Sequence, residues 1–276
     1  MKLLVVGAGE MGRWFGEVAV GGPADSETAD SATAGSATAD SAVANLAFAD
    51  ADPAVAEDAA AEFGGRAVPL STDETFDAVC VAVPMSAAAD VIESHAPRAE
   101  RALVDVTGRM GAPVDAMRAV APDRERVSLH PLFARANAPG NVAVVADESG
   151  PTVDRLLDAL EAAGNRLVET TPEEHDEAMT TVQARTHAAV LSFALAADDV
   201  PEGLTTPVYA ELREVAEQIA GNDPAVYAEI SETFDGLDRV AEFADRFADA
   251  DREEFAALYR EATSNLDESG DGGADS

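Results

Sequence analysis

The sequence predicts an α/β chain: an N-terminal doubly wound, mostly parallel sheet followed by an all-helical domain. Three observations predict it. Strand-like apolar runs alternate with helical patterns as far as Pro172, as in a parallel sheet covered on both faces. The first run, "KLLVV", leads at once into "GAGEMG", a glycine turn opening a helix. Beyond Pro172 strand signals vanish and helical spacing takes over.

In chain order, "KLLVVGAGEMGRWFGEVAV" reads as strand, turn and helix. Gly7, Gly9 and Gly12 form G-x-G-x-x-G in that setting, the fingerprint of a Rossmann-type dinucleotide site. The first glycine permits the tight turn. The second lets backbone approach a pyrophosphate, and the third lets helix pack on strand. The backbone of Gly7, Ala8, Gly9, Glu10, Met11 and Gly12 then offers its N–H groups to an anion.

Residues 21–42 are built from small and polar residues with a loose repetition. They lack the large apolar side chains that would offset ordering entropy, and read as a flexible insertion loop. The next strand, "VANLAFAD", ends at Asp50. An acid there accepts hydrogen bonds from ribose hydroxyls and repels a 2′-phosphate, which favours NAD over NADP.

Further strands follow in "AVPL", "DAVCVAVP", "ALVDVT", "VSLHP", "VAVVAD" and "NRLVET". In such sheets the ligand lies outside the carboxyl ends of the strands. Val83 and Pro84, Thr107, and His130 therefore face the cofactor and substrate. Pro131 biases His130 towards extended backbone, so His130 reads as the last residue of its strand. Imidazole is the usual general acid–base, although a rim histidine can also be a plain strand-end residue.

After Pro172, "PEEHDEAMTTVQARTHAAVLSFALAADD", "PVYAELREVAEQIAG" and "DPAVYAEISETFDGLDRVAEFADRFADA" are helical. Phe234, Leu237, Ala241, Ala244 and Phe247 make one apolar face. The expected division is 1–172 for the dinucleotide-binding domain, 173–262 for a helical domain, and 263–276 for a disordered acidic tail.

The formal net charge is −35, and Lys2 is the only lysine. Such a surface repels nucleic acid and anionic membranes. In molar salt, where the Debye length falls to about 3 Å, the self-repulsion largely vanishes, so the acidity reads as adaptation to a salt-filled cytoplasm. The apolar runs are too short to span a bilayer, and no signal-like segment opens the chain. A cytoplasmic location is expected. Cys80 is the only cysteine, so no disulfide within the chain and no metal site is expected.

"GAGEMGRWF", "VAVPMS", "LVDVT", "SLHPLF" and "HDEAMTTVQARTHAAV", in this order, resemble the prephenate/arogenate dehydrogenase family, and the acidity matches a halophilic archaeal type of it. "TPVYAELREVAEQIAGNDPAVYAEI" resembles that family's later Asp-Pro segment. The resemblance implies a Rossmann domain, a helical domain that forms a homodimer, and NAD-dependent oxidative decarboxylation of prephenate to 4-hydroxyphenylpyruvate in tyrosine biosynthesis. Arogenate is the alternative substrate. A non-catalytic NAD-sensing regulator is the alternative of a different class. His130 matches the family histidine that takes the substrate hydroxyl's proton.

Two departures stand out. Where the family usually has Ser-Val-Lys, this chain has Gly108, Arg109 and Met110, which leaves Thr107 as a nearby hydroxyl. Gln218 stands where many members carry a carboxylate-binding arginine, and Thr186 where some do. Arg185, Arg213 and Arg109 are the candidate replacements. Met179, Gln183 and His187 lie at i, i+4 spacing and are expected to share a helix face; Gln183 and His187 are candidate substrate contacts or a helix–helix polar pair. His175, in a first helical turn beside Asp176, reads as a local pair.

Overall fold

The computed structural model of the chain describes residues 1–21, 43–201 and 203–270. Residues 22–42 of the expected insertion loop and 271–276 of the expected tail lie outside them. The chain divides into two compact units, the first Met1–Ala178 and the second from Met179 onward.

In the first unit the strands are β1 (Lys2–Val6), β2 (Asn45–Ala49), β3 (Arg66–Ala67), β4 (Phe76–Val81), β5 (Ala99–Val106), β6 (Glu125–Pro131), β7 (Asn141–Glu148) and β8 (Arg166–Glu169). They form one sheet in the order β3-β2-β1-β4-β5-β6-β7-β8. The order reverses between β1 and β4, the switch point where a crevice opens at the strand ends. Every pairing is parallel except β6 with β7. The short link between those two cannot make a parallel crossover, and Leu132 N donates to Asn141 O at 2.9 Å to close the hairpin. Pro131 pairs with Val142, so the strand runs one residue past His130. A proline is tolerated at that strand end because the next ladder donor is Leu132, not Pro131.

Side chains alternate across the sheet, as the period of two requires. Leu3, Val5, Cys80, Val104, Val127 and Leu129 meet α1 (Glu10–Ala19), α2 (Pro53–Phe63) and α5 (Pro151–Ala162) on one face. Leu4, Val6, Val79, Val81 and Leu103 meet α3 (Ala88–His95) and α4 (Gly111–Val120) on the other. Both faces are covered, so the strands are apolar almost throughout. Trp14 of α1 is 2% exposed and packs edge-on to Phe133, which follows β6, with ring centroids 5.4 Å apart.

Helix α6 (Pro172–Met179) belongs to the first unit as far as Ala178, so the units part later than the expected residue 172. The cause is chemical. Asp176 accepts the backbone N–H groups of Met110 and Gly111 at 3.0 and 3.2 Å, which pins this helix to the start of α4.

The second unit is helical, with α7 (Thr186–Ala196), α8 (Pro207–Ala220), α9 (Pro224–Thr233), α10 (Leu237–Asp249) and α11 (Arg252–Gly270). Helix α11 runs through residues 263–270, where the sequence reading placed the start of a disordered tail. Asp251 caps it by accepting the N–H groups of Glu253 and Glu254 at 2.8 and 3.0 Å.

Thr180–Arg185 is a π-helical turn. Its wider winding breaks the i, i+4 register, so Met179, Gln183 and His187 do not share the simple α-helical face expected of them. The Thr186 hydroxyl donates five residues back to Thr181 O at 2.9 Å.

Candidate active site

The glycine turn is built as its spacing demands. Gly7 has φ of +96°, and a Cβ on it would stand 2.1 Å from Ala82 O; a Cβ on Gly12 would stand 1.9 Å from Gly7 O. Neither clash is with a movable side chain, so both positions require glycine. Open space lies beside Gly9, where a Cβ would meet nothing within 4 Å. Glu10 opens α1, and Met11 packs against the core.

Asp50 follows β2 directly. Its carboxylate accepts Ala8 N at 2.7 Å and Asp52 N at 3.0 Å, which ties the second strand to the glycine turn. A cavity of about 470 Å³ lies beside it, lined by Ala51, Pro53, Val68 and Leu70 among others. An acid at the rim, an apolar slot and an open helix N-terminus fit a dinucleotide with an unphosphorylated ribose. Val83 and Pro84 follow β4 at the same end of the sheet; Val83 is half-buried and Pro84 exposed.

His130 is 7% exposed near the end of β6. Its Nδ1 lies 2.8 Å from His175 Nε2. His175 Nδ1 lies 2.9 Å from Asp176 Oδ1, and His175 is itself buried. The carboxylate accepts only, so His175 Nδ1 carries a proton and His175 Nε2 is the acceptor. His130 Nδ1 must then be the donor, which makes His130 Nε2 its basic nitrogen. Burial pushes the His130 pKa down to about 3; a nearby His175 adds to this and the Asp176 charge opposes it. The Asp176 carboxyl is held below its ordinary value: burial works against that, but is outweighed by the hydrogen bonds from His175, Met110 and Gly111. The local pair of His175 with Asp176 is present, but it is not all that His175 does. One long-range contact, to His130, makes it the middle of a three-residue chain.

Below His130, the buried Asp105 accepts Ser128 Oγ at 2.7 Å. Desolvation pushes its carboxyl up to about 7 against the hydrogen bonds from Ser128 and Thr107. The Thr107 hydroxyl lies 3.0 Å from Arg109 O and 3.3 Å from Asp105 Oδ2. The catalytic hydroxyl expected at Thr107 is therefore committed to shaping its own loop. Its one proton already has two acceptors, and the residue is 5% exposed. Arg109 projects from that loop with its Nε 3.6 Å from Asp176 Oδ2.

In the second unit, His187 is half-buried, edge-on to Tyr227 with centroids 4.8 Å apart. Burial lowers its pKa. His187, Tyr227, Asn222 and Ser231 line a cavity of about 440 Å³ that is otherwise largely apolar. Gln183 sits half-buried within the π-helical turn. Arg185 donates to Thr181 Oγ1 at 3.0 Å and packs against the turn at Gly236. Arg213 is exposed and pairs with Glu217 at 2.8 Å, one helical turn on; Gln218 is exposed on the same helix. Among these five, only His187 lines the cavity.

The family description "Prephenate dehydrogenase, nucleotide-binding domain" matches residues 40–146. A 4-amino-4-deoxyprephenate dehydrogenase of Streptomyces pristinaespiralis is 31% identical over 215 residues, 70% of this chain and 72% of that one. A probable arogenate/prephenate dehydrogenase of Methanocaldococcus jannaschii is 26% identical over 69% of this chain, but the match spans only 48% of its length. Among solved structures, prephenate dehydrogenase from A. aeolicus, in complex with hydroxyphenyl propionate and NAD+, is similar with a TM-score of 0.66 at 16% identity, covering 98% of this chain and 96% of that one. Synechocystis arogenate dehydrogenase gives 0.62 at 16% identity, covering 98% and 99%.

Proposed function

Because this chain belongs to the prephenate/arogenate dehydrogenase family, we propose that it catalyses the NAD-dependent oxidative decarboxylation of prephenate to 4-hydroxyphenylpyruvate, a step of tyrosine biosynthesis. The observation that carries this reading is the Asp176–His175–His130 chain at the carboxyl end of the sheet. A protein that merely sensed NAD would need no such base.

NAD, when bound, takes up the hydride from the carbon bearing the substrate hydroxyl. The backbone N–H groups of Gly9, Glu10 and Met11 would hold its pyrophosphate, and Asp50 its ribose; Gly7 N and Ala8 N are spent on Ala49 O and Asp50 Oδ2. His130 Nε2 accepts the hydroxyl proton as that carbon becomes a carbonyl. Asp176, through His175, stabilises the imidazolium so formed, as a carboxylate does in any such relay. The ring carboxylate then leaves as carbon dioxide and the ring aromatises. His130 returns its proton to the phenolate oxygen, so the base is regenerated. The low proton affinity of the resting imidazole keeps Nε2 unprotonated before substrate binds.

The test is NADH formation at molar KCl with prephenate, arogenate and 4-amino-4-deoxyprephenate in turn. Prephenate should be oxidised fastest. The second reading is oxidation of the amino compound, favoured by the 31% identity to an enzyme named for it. No turnover of any of the three would overturn the dehydrogenase reading.

A homodimer formed through the helical unit belongs to the same reading. Leu195, Leu204, Val208, Tyr259 and Leu266 there are all well exposed, apolar surface that a second copy would cover. Among the described residues no helix is long and apolar enough to cross a membrane. A salt-rich cytoplasm of halophilic archaeal type is the setting that the −35 charge fits.

A further inference from the structure

A doubly negative substrate is repelled by a chain of −35 net charge unless a local cation receives it. Most arginines of the first unit are already committed. Arg13 and Arg135 hold Glu62. Arg126 and Arg118 hold Asp147. Arg66 holds Glu74, and Arg98 and Arg124 cap backbone carbonyls. Arg109 differs. It stands at the carboxyl end of β5, its side chain is 48% exposed, and its one ion-pair contact, to Asp176 Oδ2, is 3.6 Å long. That exceeds hydrogen-bond length. Asp176 does not depend on it, because Met110 N, Gly111 N and His175 Nδ1 already donate to that carboxylate. Among the described residues the Arg109 guanidinium makes no hydrogen bond, so its fork of donors is available to a carboxylate.

The loop beneath it is firmly held. The Thr107 hydroxyl lies on Arg109 O, and a Cβ at Gly108 would stand 2.9 Å from Met85 Sδ. The backbone that carries the guanidinium is therefore fixed, and the guanidinium itself lies beside Asp176 of the histidine chain.

We propose that Arg109 binds a carboxylate of the substrate. The proposal rests on the dehydrogenase reading above and names the residue that recognises the substrate's acid group. In prephenate both carboxylates are carried at the ring carbon opposite the hydroxyl that His130 addresses. One cation and one base on the same sheet edge can therefore hold both ends of the ring.

The experiment compares the unmodified protein with Arg109→Gln and Arg109→Lys in molar KCl. Steady-state kinetics use prephenate and NAD; calorimetry with NAD present uses 3-(4-hydroxyphenyl)propionate as a non-reacting carboxylate. Losing a charge-assisted hydrogen bond weakens binding by roughly 10- to 100-fold. Arg109→Gln should raise the KM for prephenate by that factor, leave the KM for NAD unchanged and change kcat little. Arg109→Lys should recover part of the loss. A KM for prephenate unchanged in Arg109→Gln would overturn the inference while leaving the dehydrogenase reading intact. A fall in kcat alone would also overturn it, because Arg109 would then act only through Asp176. Neither turnover nor binding in the unmodified protein would overturn the dehydrogenase reading and this inference with it.

Discussion

His130 Nδ1 and His175 Nε2 are 2.8 Å apart, and they come from a strand and a helix separated by 45 residues. The Asp176 carboxylate at the far side of His175 decides which nitrogen of each ring carries the proton. The tautomer of His130 is thus set through His175 by the Asp176 carboxylate.

His130→Asn should lower kcat by roughly 10²–10⁴, the range for a lost positioned base, with NAD affinity nearly unchanged. An unperturbed histidine would give a rate limb near pH 6.5. Burial holds this one near 3, so kcat should show no limb from His130 between about pH 5 and 8. A limb near 6.5 that vanishes in the variant would place the working imidazole in a wetter setting.

Asp176→Asn tests the chain directly. An amide can donate to His175 Nδ1 and reverse both tautomers, leaving His130 Nε2 protonated and unable to accept. The expected fall in kcat is again about 10²–10⁴, with NAD affinity preserved. If kcat stays normal, Asp176 serves only to fasten α6 to the Met110–Gly111 backbone.

Asp50→Ser should narrow the preference for NAD over NADP, by removing the charge that repels a 2′-phosphate. It also removes the acceptor of Ala8 N, so NAD affinity should fall by about 5- to 10-fold, the scale of one hydrogen bond. Equal use of the two cofactors by the unmodified protein would contradict the assignment.

Asp105 makes a prediction about stability. Its folded pKa is raised from the ordinary 3.8 to about 7, chiefly by desolvation. Between those values the folded state binds the proton more tightly than the unfolded state does. Its stabilising contribution is full below pH 4 or so and is lost as pH rises towards about 7. Asp105→Asn cannot ionise, so its Tm should fall less than that of the unmodified protein between pH 5 and 8. A parallel decline in both would show that other groups set the slope.

The charge predicts a salt response. The Tm should climb steeply from dilute buffer to molar KCl as self-repulsion is screened. A salt-independent Tm would remove the argument for a salt-rich setting.

The sheet was readable because its strands are buried on both faces, so "KLLVV", "DAVCVAV" and "ALVDV" are apolar runs that no helix period explains. Gly7, Gly12, Asp50 and His130 were readable because a local turn or strand end dictates each one. What escaped depends on contacts remote in sequence. His175 looks like any first-turn residue until β6 is laid beside α6. The Thr107 hydroxyl looks available until the loop folds it onto Arg109 O and Asp105. The π-helical turn at Thr180–Arg185 shifts every side-chain direction after it, and nothing in the residue types of "TTVQAR" announces the wider winding. The exposed Arg213 illustrates the same limit: its i, i+4 pairing with Glu217 is legible, but its task is not.

Trp14 is the only tryptophan in the chain. It stands two residues after Gly12 on the helix that opens at the glycine turn, and its indole rests on Phe133, three residues after His130. The molecule therefore carries a single indole, which can be excited apart from the three tyrosines, wedged between the nucleotide turn and the histidine strand. Its emission spectrum reports on both at once, without labelling, dye or coupled assay.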